Sequence, residues 1–337
     1  MNLGRSAANA IGLLGLCTSA SAEPSMSYWR TFGPSGDAGT TLGWGLGIVS
    51  IVVTVLVAAL LLIGILRQRR NAGDPRSLAV HTDSGGMAWI YTGLGLTVAV
   101  LLVFAVWTMF TIAAVAMPAK TTMTLQVNAS QWWWAVRYDS PQPSQVFSVA
   151  NEIHIPVGQP IRVELSSPDV IHSFWIPQLG GKMDVIPGRS NVTWLQADTP
   201  GVYRGQCGEF CGAQHAHMAM LVVAEAPPAF AAWKAAQLRA ALPPTTPEGL
   251  AGQAAFVANC GACHAVRGAG AGGILGPDLT HLMSRRTIAA GLLPNTPGNL
   301  SAWIADAQSL KPGTRMPSMV LPAPQLTAIV AYLETLQ

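Results

Sequence analysis

Two short clusters of cysteine and histidine hold most of the metal chemistry that this sequence can offer. The first cluster reads Cys207-Gly-Glu-Phe-Cys-Gly-Ala-Gln-His-Ala-His-Met218 and places two thiols, two imidazoles and a thioether within twelve residues. Thiolate and thioether sulfurs are ligands that copper prefers, and imidazole suits both of its oxidation states. Cys207 and Cys211 are close enough in sequence for one loop to direct both sulfurs at the same place. The loop therefore predicts a copper site, in which two thiolates could bridge two copper ions.

Structural zinc is the main alternative for this loop. Cys207, Cys211, His215 and the earlier His172 would complete a Cys2His2 tetrahedron. Met218 argues against zinc, because a thioether is a useful weak ligand for copper and of little use to zinc. A blue single-copper site needs one cysteine, so the second thiolate favours a two-copper centre.

The second cluster, Cys260-Gly-Ala-Cys-His264, has the spacing at which haem is attached covalently. Both thiols, Cys260 and Cys263, would bond the porphyrin, and His264 would ligate the iron. A thioredoxin-like redox pair is the alternative, since C-x-x-C alone is common, and the adjacent histidine favours haem.

A low-spin electron-transfer haem also needs a sixth ligand, and a methionine in that position raises the potential. Met316, in the segment Gly313-Thr-Arg-Met-Pro317, is the first candidate. Met319 and Met283 are the alternatives.

Composition places part of the chain in a membrane. The chain has 337 residues, of which 50% are hydrophobic and only 10% are charged, a composition too apolar for an ordinary soluble protein. Two uncharged runs, at about 43–66 and 88–117, are each long enough to cross a bilayer. The arginine-rich segment 67–76 between them predicts a cytoplasmic connection, so everything after Pro118 would lie outside. The net charge of +3 comes from scattered basic residues and excludes a nucleic-acid footprint.

The N-terminus has the pattern of a secretory signal over residues 1–22. Arg5, an apolar run at 11–16 and Ala20-Ser-Ala22 follow one another in the order that such signals need, and cleavage would follow Ala22. An unprocessed N-terminal tail is the alternative. Four of the five cysteines fall in the two clusters, which leaves Cys17 and no disulfide framework.

The elements that must position the clusters follow the hairpin of residues 23–118. Short β-branched and aromatic runs separated by proline and glycine predict an antiparallel β-sandwich over 119–225. A linker rich in alanine and proline follows over 226–247, partly helical around 230–241. The last domain, 248–337, predicts an all-α haem domain. The predicted strand runs are Thr122–Val127, Ile161–Leu165, Asn191–Leu195 and Met220–Val223, and the predicted helices of the last domain lie before Cys260, at about Leu300–Leu310 and at about Pro324–Leu336.

Folding must bring His172 to the distant Cys207 loop, as in β-sandwich copper proteins that combine one early ligand with a late ligand loop. A run of three indoles, Gln131-Trp-Trp-Trp134, cannot face one side of a strand. We expect at least one of these indoles to be exposed, as a docking surface for an electron donor. His217 alternates away from His215 and is interpreted as a bystander.

With these features the sequence resembles subunit II of the haem-copper cytochrome c oxidases over about residues 25–225. The terminal haem domain makes it similar to the fused bacterial type, whose subunit II carries its own cytochrome c. The resemblance implies a cupredoxin-like sandwich that holds the two-copper centre CuA, with Cys207 and Cys211 as bridging thiolates. The remaining ligands that it implies are His172, His215, Met218 and the backbone carbonyl of Glu209.

The resemblance also implies roles for individual residues around these sites. The Glu209 side chain would reach a magnesium ion shared with subunit I, and Trp132 would be the residue at which electrons arrive. In the fused domain, the Pro277 carbonyl would accept the ring proton of His264 and fix its tautomer.

The implied function is that of an electron-transfer subunit of a terminal respiratory oxidase in the bacterial inner membrane, with its copper and haem domains on the periplasmic face. Electrons would pass from its own haem through CuA to subunit I, which reduces oxygen to water with proton translocation. This chain would hold no oxygen-reducing site. Subunit III and an upstream cytochrome or quinol-cytochrome c reductase would be further partners.

One departure from the resemblance concerns proton uptake. Many such proteins carry a glutamate just before the second span, and the segment from His81 to Met87 has none. Either His81 or Asp83 would substitute for it, or the partner subunit would use another route. Because some nitric oxide reductases pair a CuA subunit with a related catalytic subunit, that function is the alternative. A membrane-anchored copper-delivery protein is a third hypothesis, which the covalent haem motif disfavours.

Overall fold

The computed structural model of the chain describes residues 26–70, 86–116, 118 and 120–337. The predicted signal of residues 1–22, with Cys17, lies outside the described residues, as do His81 and Asp83.

Two long helices, α1 (Pro34–Arg70) and α2 (Gly86–Val115), contain most of the two uncharged runs. Both are long and apolar enough to cross a membrane, and their apolar windows are not buried inside the protein. The helices pack at Gly45, where an added Cβ would lie 2.7 Å from the Trp107 ring. The end of α2 is joined to the next domain by the Trp194 indole, which donates a hydrogen bond of 2.9 Å to the Val115 carbonyl.

Ten strands form a sandwich of two five-stranded sheets, in the orders β3-β2-β1-β5-β8 and β4-β10-β9-β6-β7. Most pairs are antiparallel, and each sheet also contains one parallel pair, β1 with β5 and β10 with β4. Alternation explains how the first sheet covers the core, since Ile161, Val163 and Leu165 are fully buried and the residues between them are not. The strands are β1 (Met123–Ser130), β2 (Trp133–Tyr138), β3 (Phe147–Ala150), β4 (Glu152–Pro156), β5 (Ile161–Ser166), β6 (His172–Trp175), β7 (Met183–Val185), β8 (Asn191–Leu195), β9 (Gly201–Cys207) and β10 (Ala219–Glu225).

The second sheet is covered on its outer face as well. Every residue of β4 is buried, although alternate side chains of a strand point to opposite faces. Helix α3 (Pro227–Gln237) covers part of this face, with Phe230 buried and the Trp233 ring stacked 4.1 Å from the His154 ring. Much of the predicted linker 226–247 is therefore a helix packed on the sandwich.

The C-terminal domain is helical, with short two-residue ladders between its helices. Thr246 and Thr296 cap the first two helices through their side chains. The single helix predicted at about 300–310 is divided, because Asp306 ends one helix and caps the next by accepting a hydrogen bond from Ser309. The elements are α4 (Pro247–Asn259), β11 (Ala265–Val266), β12 (Ala271–Gly272), β13 (Thr287–Ile288), β14 (Leu293–Pro294), α5 (Pro297–Ala305), α6 (Ala307–Leu310) and α7 (Ala323–Leu333).

Glycine allows α4 to cross α7 closely. A Cβ on Gly252 would lie 1.9 Å from the Ala328 carbonyl oxygen, so no larger residue fits without moving a helix. Beside this contact, the Phe256 and Tyr332 rings lie 5.6 Å apart in the core of the domain. This crossing holds the end of α4, from which the C-x-x-C-H segment continues.

Candidate metal centre and haem site

The second sheet brings the early histidine to the late loop. His172 begins β6 and Cys207 ends β9, and these strands pair with Phe174 opposite Cys207. The loop from Gly208 to Met218 then returns the chain to β10. Ligand candidates 35 residues apart in sequence thus share one end of the sandwich.

The sulfur atoms of Cys207 and Cys211 lie 3.7 Å apart, and both cysteines are buried and free. A disulfide would bring them to about 2.05 Å. The His172 Nδ1 atom lies 3.8 Å from the Cys207 sulfur, and the Glu209 carbonyl oxygen lies 3.2 Å from the same sulfur. Within the described residues, His172, Cys207 and Cys211 form a group whose ligand atoms all lie within 4.8 Å of one another.

The other candidate ligands approach the second thiol. The His215 Nδ1 atom lies 3.6 Å from the Cys211 sulfur, and the Met218 sulfur lies 3.8 Å from it. Each imidazole therefore faces a different thiol. All six ligand groups that the sequence predicts converge on one place, and the proposal that they bind metal rests on this geometry.

Asp169 fixes the orientation of the His172 ring. Its Oδ1 atom lies 3.0 Å from Nε2 of the ring, which leaves Nδ1 directed at the Cys207 sulfur. Burial alone would raise the pKa of Asp169, but hydrogen bonds from the Gln131 amide and the His172 ring outweigh burial and lower it. Sequence reasoning missed Asp169, although an acidic residue three positions before a ligating histidine is a signal that could have identified it.

The two thiols share their protons unequally. The hydrogen bond between them lowers the pKa of Cys207 and raises that of Cys211. The thiolate is the form that binds metal, and two facing thiols with one readily lost proton are suited to it. Two thiols, two imidazoles, a thioether and a carbonyl are a donor set for copper, so the residues present fit the predicted group.

Glu209 and His217 lie at the outer edge of the loop. The Glu209 side chain is 44% exposed and pairs with Lys182 at 3.3 Å, while its carbonyl faces the thiol. It is therefore accessible from outside this chain. His217 is exposed, and its ring nitrogen lies 2.7 Å from the Gln214 side-chain oxygen rather than near a sulfur.

No indole of the tryptophan run is fully exposed, and of the three only Trp133 keeps partial exposure. Trp132 is 7% exposed and Trp134 is fully buried, while Trp133 is half-buried. Trp132 is covered because the C-terminal domain lies on it. A Cβ added at Gly313 would lie only 3.3 Å from the indole ring. The Trp132 indole nitrogen donates a hydrogen bond of 2.9 Å to the Cys211 carbonyl. Trp132 therefore contacts the metal loop on one side and the C-terminal domain on the other.

In the C-terminal domain, α4 leads directly into the haem motif. The His264 amide donates to the Cys260 carbonyl at 3.0 Å, so the motif turns back on itself. The Nδ1 atom of His264 lies 2.9 Å from the Pro277 carbonyl oxygen, which is the contact implied by the resemblance. A Cβ on Gly276 would lie 2.6 Å from the His264 ring, so glycine is needed for the proline turn to approach the ring. Burial lowers the pKa of His264 and favours the neutral imidazole that ligates iron.

The haem motif is bordered by apolar side chains that the protein leaves uncovered. Ile274 and Leu275, next to Gly276, are 90% and 74% exposed, and Val320, next to Met319, is 99% exposed. Met316 and Met319 both pack half-buried against the core of the domain. An attached porphyrin would give this apolar surface a partner, so the residues present fit a covalent haem.

Family profiles match both the sandwich and the C-terminal domain. The profile of the family described as "Cytochrome C oxidase subunit II, periplasmic domain" matches residues 123–225. The cytochrome c profile matches residues 250–337. The first match covers the sandwich with its metal loop, and the second covers the C-terminal helical domain with its C-x-x-C-H segment.

Relatives are similar over much of the chain. Cytochrome c oxidase subunit 2 of Alkalihalophilus pseudofirmus is 35% identical over 302 residues, which cover 86% of this chain and 84% of that protein. Cytochrome c oxidase subunit 2 of Bacillus sp. (strain PS3) is 34% identical over 230 residues, covering 65% of this chain and 63% of that protein. The crystal structure of the periplasmic domain of subunit II of cytochrome oxidase of Bradyrhizobium japonicum matches 36% of this chain and 96% of its own, with 34% identity and a TM-score of 0.34.

Proposed function

Since this chain belongs to the cytochrome c oxidase subunit II family, in the fused form with a C-terminal cytochrome c domain, we propose that it passes electrons from its own haem through a two-copper CuA centre to the catalytic subunit. That subunit would reduce oxygen to water and translocate protons. Copper and haem, when bound, supply the one-electron redox chemistry. The protein supplies their ligands, and it buries the candidate ligands His172, Cys207, Cys211 and Met218 away from water.

The observation that carries this proposal is the pair of free thiols 3.7 Å apart, each facing a different imidazole. One ion in a tetrahedral site needs four donors around a single point. Two thiols between two imidazoles instead offer a shared pair of sulfurs with one further nitrogen at each side. This arrangement supports a site for two copper ions, which Cys207 and Cys211 would share and which His172, His215, Met218 and the Glu209 carbonyl would complete.

The chain holds these ligands rigidly, which suits electron transfer because ligands that move little keep the reorganisation small. Asp169 fixes the His172 ring from behind at 3.0 Å. The Trp132 and Trp134 indoles donate to the Cys211 and Met218 carbonyls, at 2.9 and 3.4 Å. The loop is therefore braced by side chains of the sandwich.

Trp132 lies between the metal loop and the Gly313 turn of the C-terminal domain, which supports a role in receiving electrons from that domain. Its ring contacts the Gly313 position on one side and its nitrogen bonds the Cys211 carbonyl on the other. Gly313 is three residues before Met316, the candidate sixth ligand of the haem at His264. The attachment residues for that haem would be Cys260 and Cys263.

The partners follow from the exposed side of the metal loop and from the two apolar helices. The exposed Glu209 carboxylate would reach a magnesium ion shared with subunit I, and Phe210 beside it is 75% exposed. The chain is an inner-membrane protein with a periplasmic domain, and we propose two spans with both redox domains on the periplasmic side. Subunit III and an upstream cytochrome or quinol-cytochrome c reductase would complete the assembly.

The test is turnover of the complex purified from its native membrane with each of two gases. We expect electron-donor oxidation to be coupled to oxygen consumption, and nitric oxide to be reduced at less than one tenth of that rate. The same complex carrying Cys207→Ser gives the background turnover rate in the absence of one thiolate. His217→Ala, which changes a histidine outside the ligand set, is the matched control. Turnover with nitric oxide and none with oxygen would favour the nitric oxide reductase function instead.

A further inference from the structure

We propose that Lys311 is an interdomain positioning residue, whose buried ammonium fastens the C-terminal domain to the sandwich over Trp132. The docking itself does not depend on the proposed function, whereas its use in electron transfer rests on that function. The domain would then be held in place in the resting protein and would not swing on its linker.

Lys311 is 2% exposed, and its ammonium donates to three backbone carbonyls. Two acceptors belong to the sandwich domain, Trp132 and His217, each at 2.8 Å, and the third is Ala289 of its own domain at 2.9 Å. A lysine that served only the C-terminal domain would not use two of its three donors on another domain. The contact therefore joins the residue after α6 to Trp132, which hydrogen-bonds the metal loop, and to His217 within that loop.

Burial and hydrogen bonding act in opposite directions on the charge of Lys311. Burial lowers its pKa to about 7, since desolvation disfavours the ammonium. Three carbonyls use all three donors of an ammonium, a number that a neutral amine lacks. Each carbonyl would be left without this partner if the side chain were apolar.

A second segment of the C-terminal domain is shaped by the same interface. Ala289, Ala290 and Gly291 all have positive φ angles, of 54°, 60° and 80°. Such angles are unfavourable for alanine, so the surrounding contacts must hold the turn. They direct the Ala289 carbonyl to Lys311 and the Ala290 carbonyl to the Ala219 amide of the sandwich, at 3.0 Å.

Further polar contacts surround Lys311 and define the interface. The Gln214 side chain donates to the Pro312 carbonyl at 3.0 Å, and Arg315 lies 3.4 Å from Asp169, the residue that orients His172. On the other side, the Arg286 amide donates to the Glu152 carboxylate at 3.0 Å. The interface therefore includes Asp169, the residue that contacts the candidate ligand His172.

Docking has a consequence for electron donors. Because Trp132 is covered, a donor protein outside this chain cannot contact that indole while the domain is in place. Its docking surface would be on the C-terminal domain, and electrons would have to pass through that domain to reach the metal loop.

The first test needs no mutation and uses the full-length chain. The sequence has four lysines, Lys120, Lys182, Lys234 and Lys311, so each can be followed by mass spectrometry after acetylation of amines. We expect Lys311 to react at least tenfold more slowly than Lys120 and Lys182, which are exposed or paired at the surface. A rate for Lys311 within twofold of theirs would overturn the proposal, because the domain would then be undocked.

The second test compares Lys311→Met with the control Lys120→Met by amide hydrogen exchange in the full-length holoprotein. We expect the Ala219 amide, bonded across the interface, to exchange at least tenfold faster in K311M. Two control amides should stay unchanged, Leu221 bonded within the sandwich and Cys260 bonded within the C-terminal domain. An unchanged Ala219 amide would overturn the proposal. Faster exchange at Cys260 as well would overturn it too, since Lys311 would then serve the fold of its own domain.

Discussion

Single side chains behind the metal loop determine how its ligands are presented. The thiols and imidazoles could be identified from the sequence because soft donors at short spacing have few other uses. Asp169 was missed, since an acidic residue on a β-sandwich is ordinarily a surface charge. Its role depends on the turn that brings its carboxylate within 3.0 Å of the His172 ring, a distance that no spacing rule supplies.

We predict that Asp169→Ala weakens copper binding by about 10–100-fold, the usual cost of removing the hydrogen-bond partner of a ligating histidine. The His172 ring would lose the contact that directs its Nδ1 at Cys207. Competitive copper titration of the purified chain measures this effect. The matched control is Asp139→Ala, a carboxylate that pairs with Arg137 away from the site. Equal affinities for D169A and D139A would show that the ring needs no support.

The haem motif requires a glycine at position 276, next to the His264 ring. We predict that Gly276→Ala destabilises the C-terminal domain by about 1–3 kcal/mol, the range for overpacking, because the new methyl group would lie 2.6 Å from the His264 ring. Denaturant unfolding followed by haem absorbance measures the loss. Gly272→Ala, where a Cβ meets nothing within 4 Å, is the control. If both variants unfolded alike, the close approach of Pro277 to His264 would not be constrained at this position.

Secondary-structure elements could be predicted where their pattern is local. The runs predicted at 161–165 and 191–195 coincide with β5 and β8 to within one residue. In β5 the burial alternates with a clear period of two. The division of the helix at about 300–310 was missed, since Asp306 acts as a cap only once the chain turns there. The packing of α3 on the sandwich was missed for another reason, because Trp233 meets His154 across a long stretch of sequence.

The two apolar helices allow a prediction about their packing. Gly45→Leu should separate α1 from α2, since even a Cβ at this position lies 2.7 Å from the Trp107 ring. Gly47→Leu places the same side chain two residues along the helix, where a Cβ meets nothing within 4 Å. We expect G45L to lower the unfolding temperature of the detergent-solubilised chain by several degrees relative to G47L. Identical melting of the two variants would contradict this packing.

At the scale of the whole molecule, the contact between the sandwich and the C-terminal domain is the main feature that the sequence did not predict. The order of hairpin, sandwich and helical domain follows from composition and period, and the family comparisons agree with it. The contact of Lys311 with Trp132 and His217 joins residues 179 and 94 positions apart, which no local pattern encodes. For this reason the sequence predicted at least one exposed indole in the tryptophan run but did not predict that the C-terminal domain covers Trp132.

The proposed electron path depends on Cys207 and Cys211 jointly holding two copper ions at the end of the sandwich. Electron paramagnetic resonance with metal analysis of the purified full-length chain tests it most directly. We expect two coppers and one covalently bound haem iron per chain, with one unpaired electron whose signal is split by both copper nuclei. A single zinc ion, a signal split by one copper nucleus, or a disulfide between the two cysteines would contradict it.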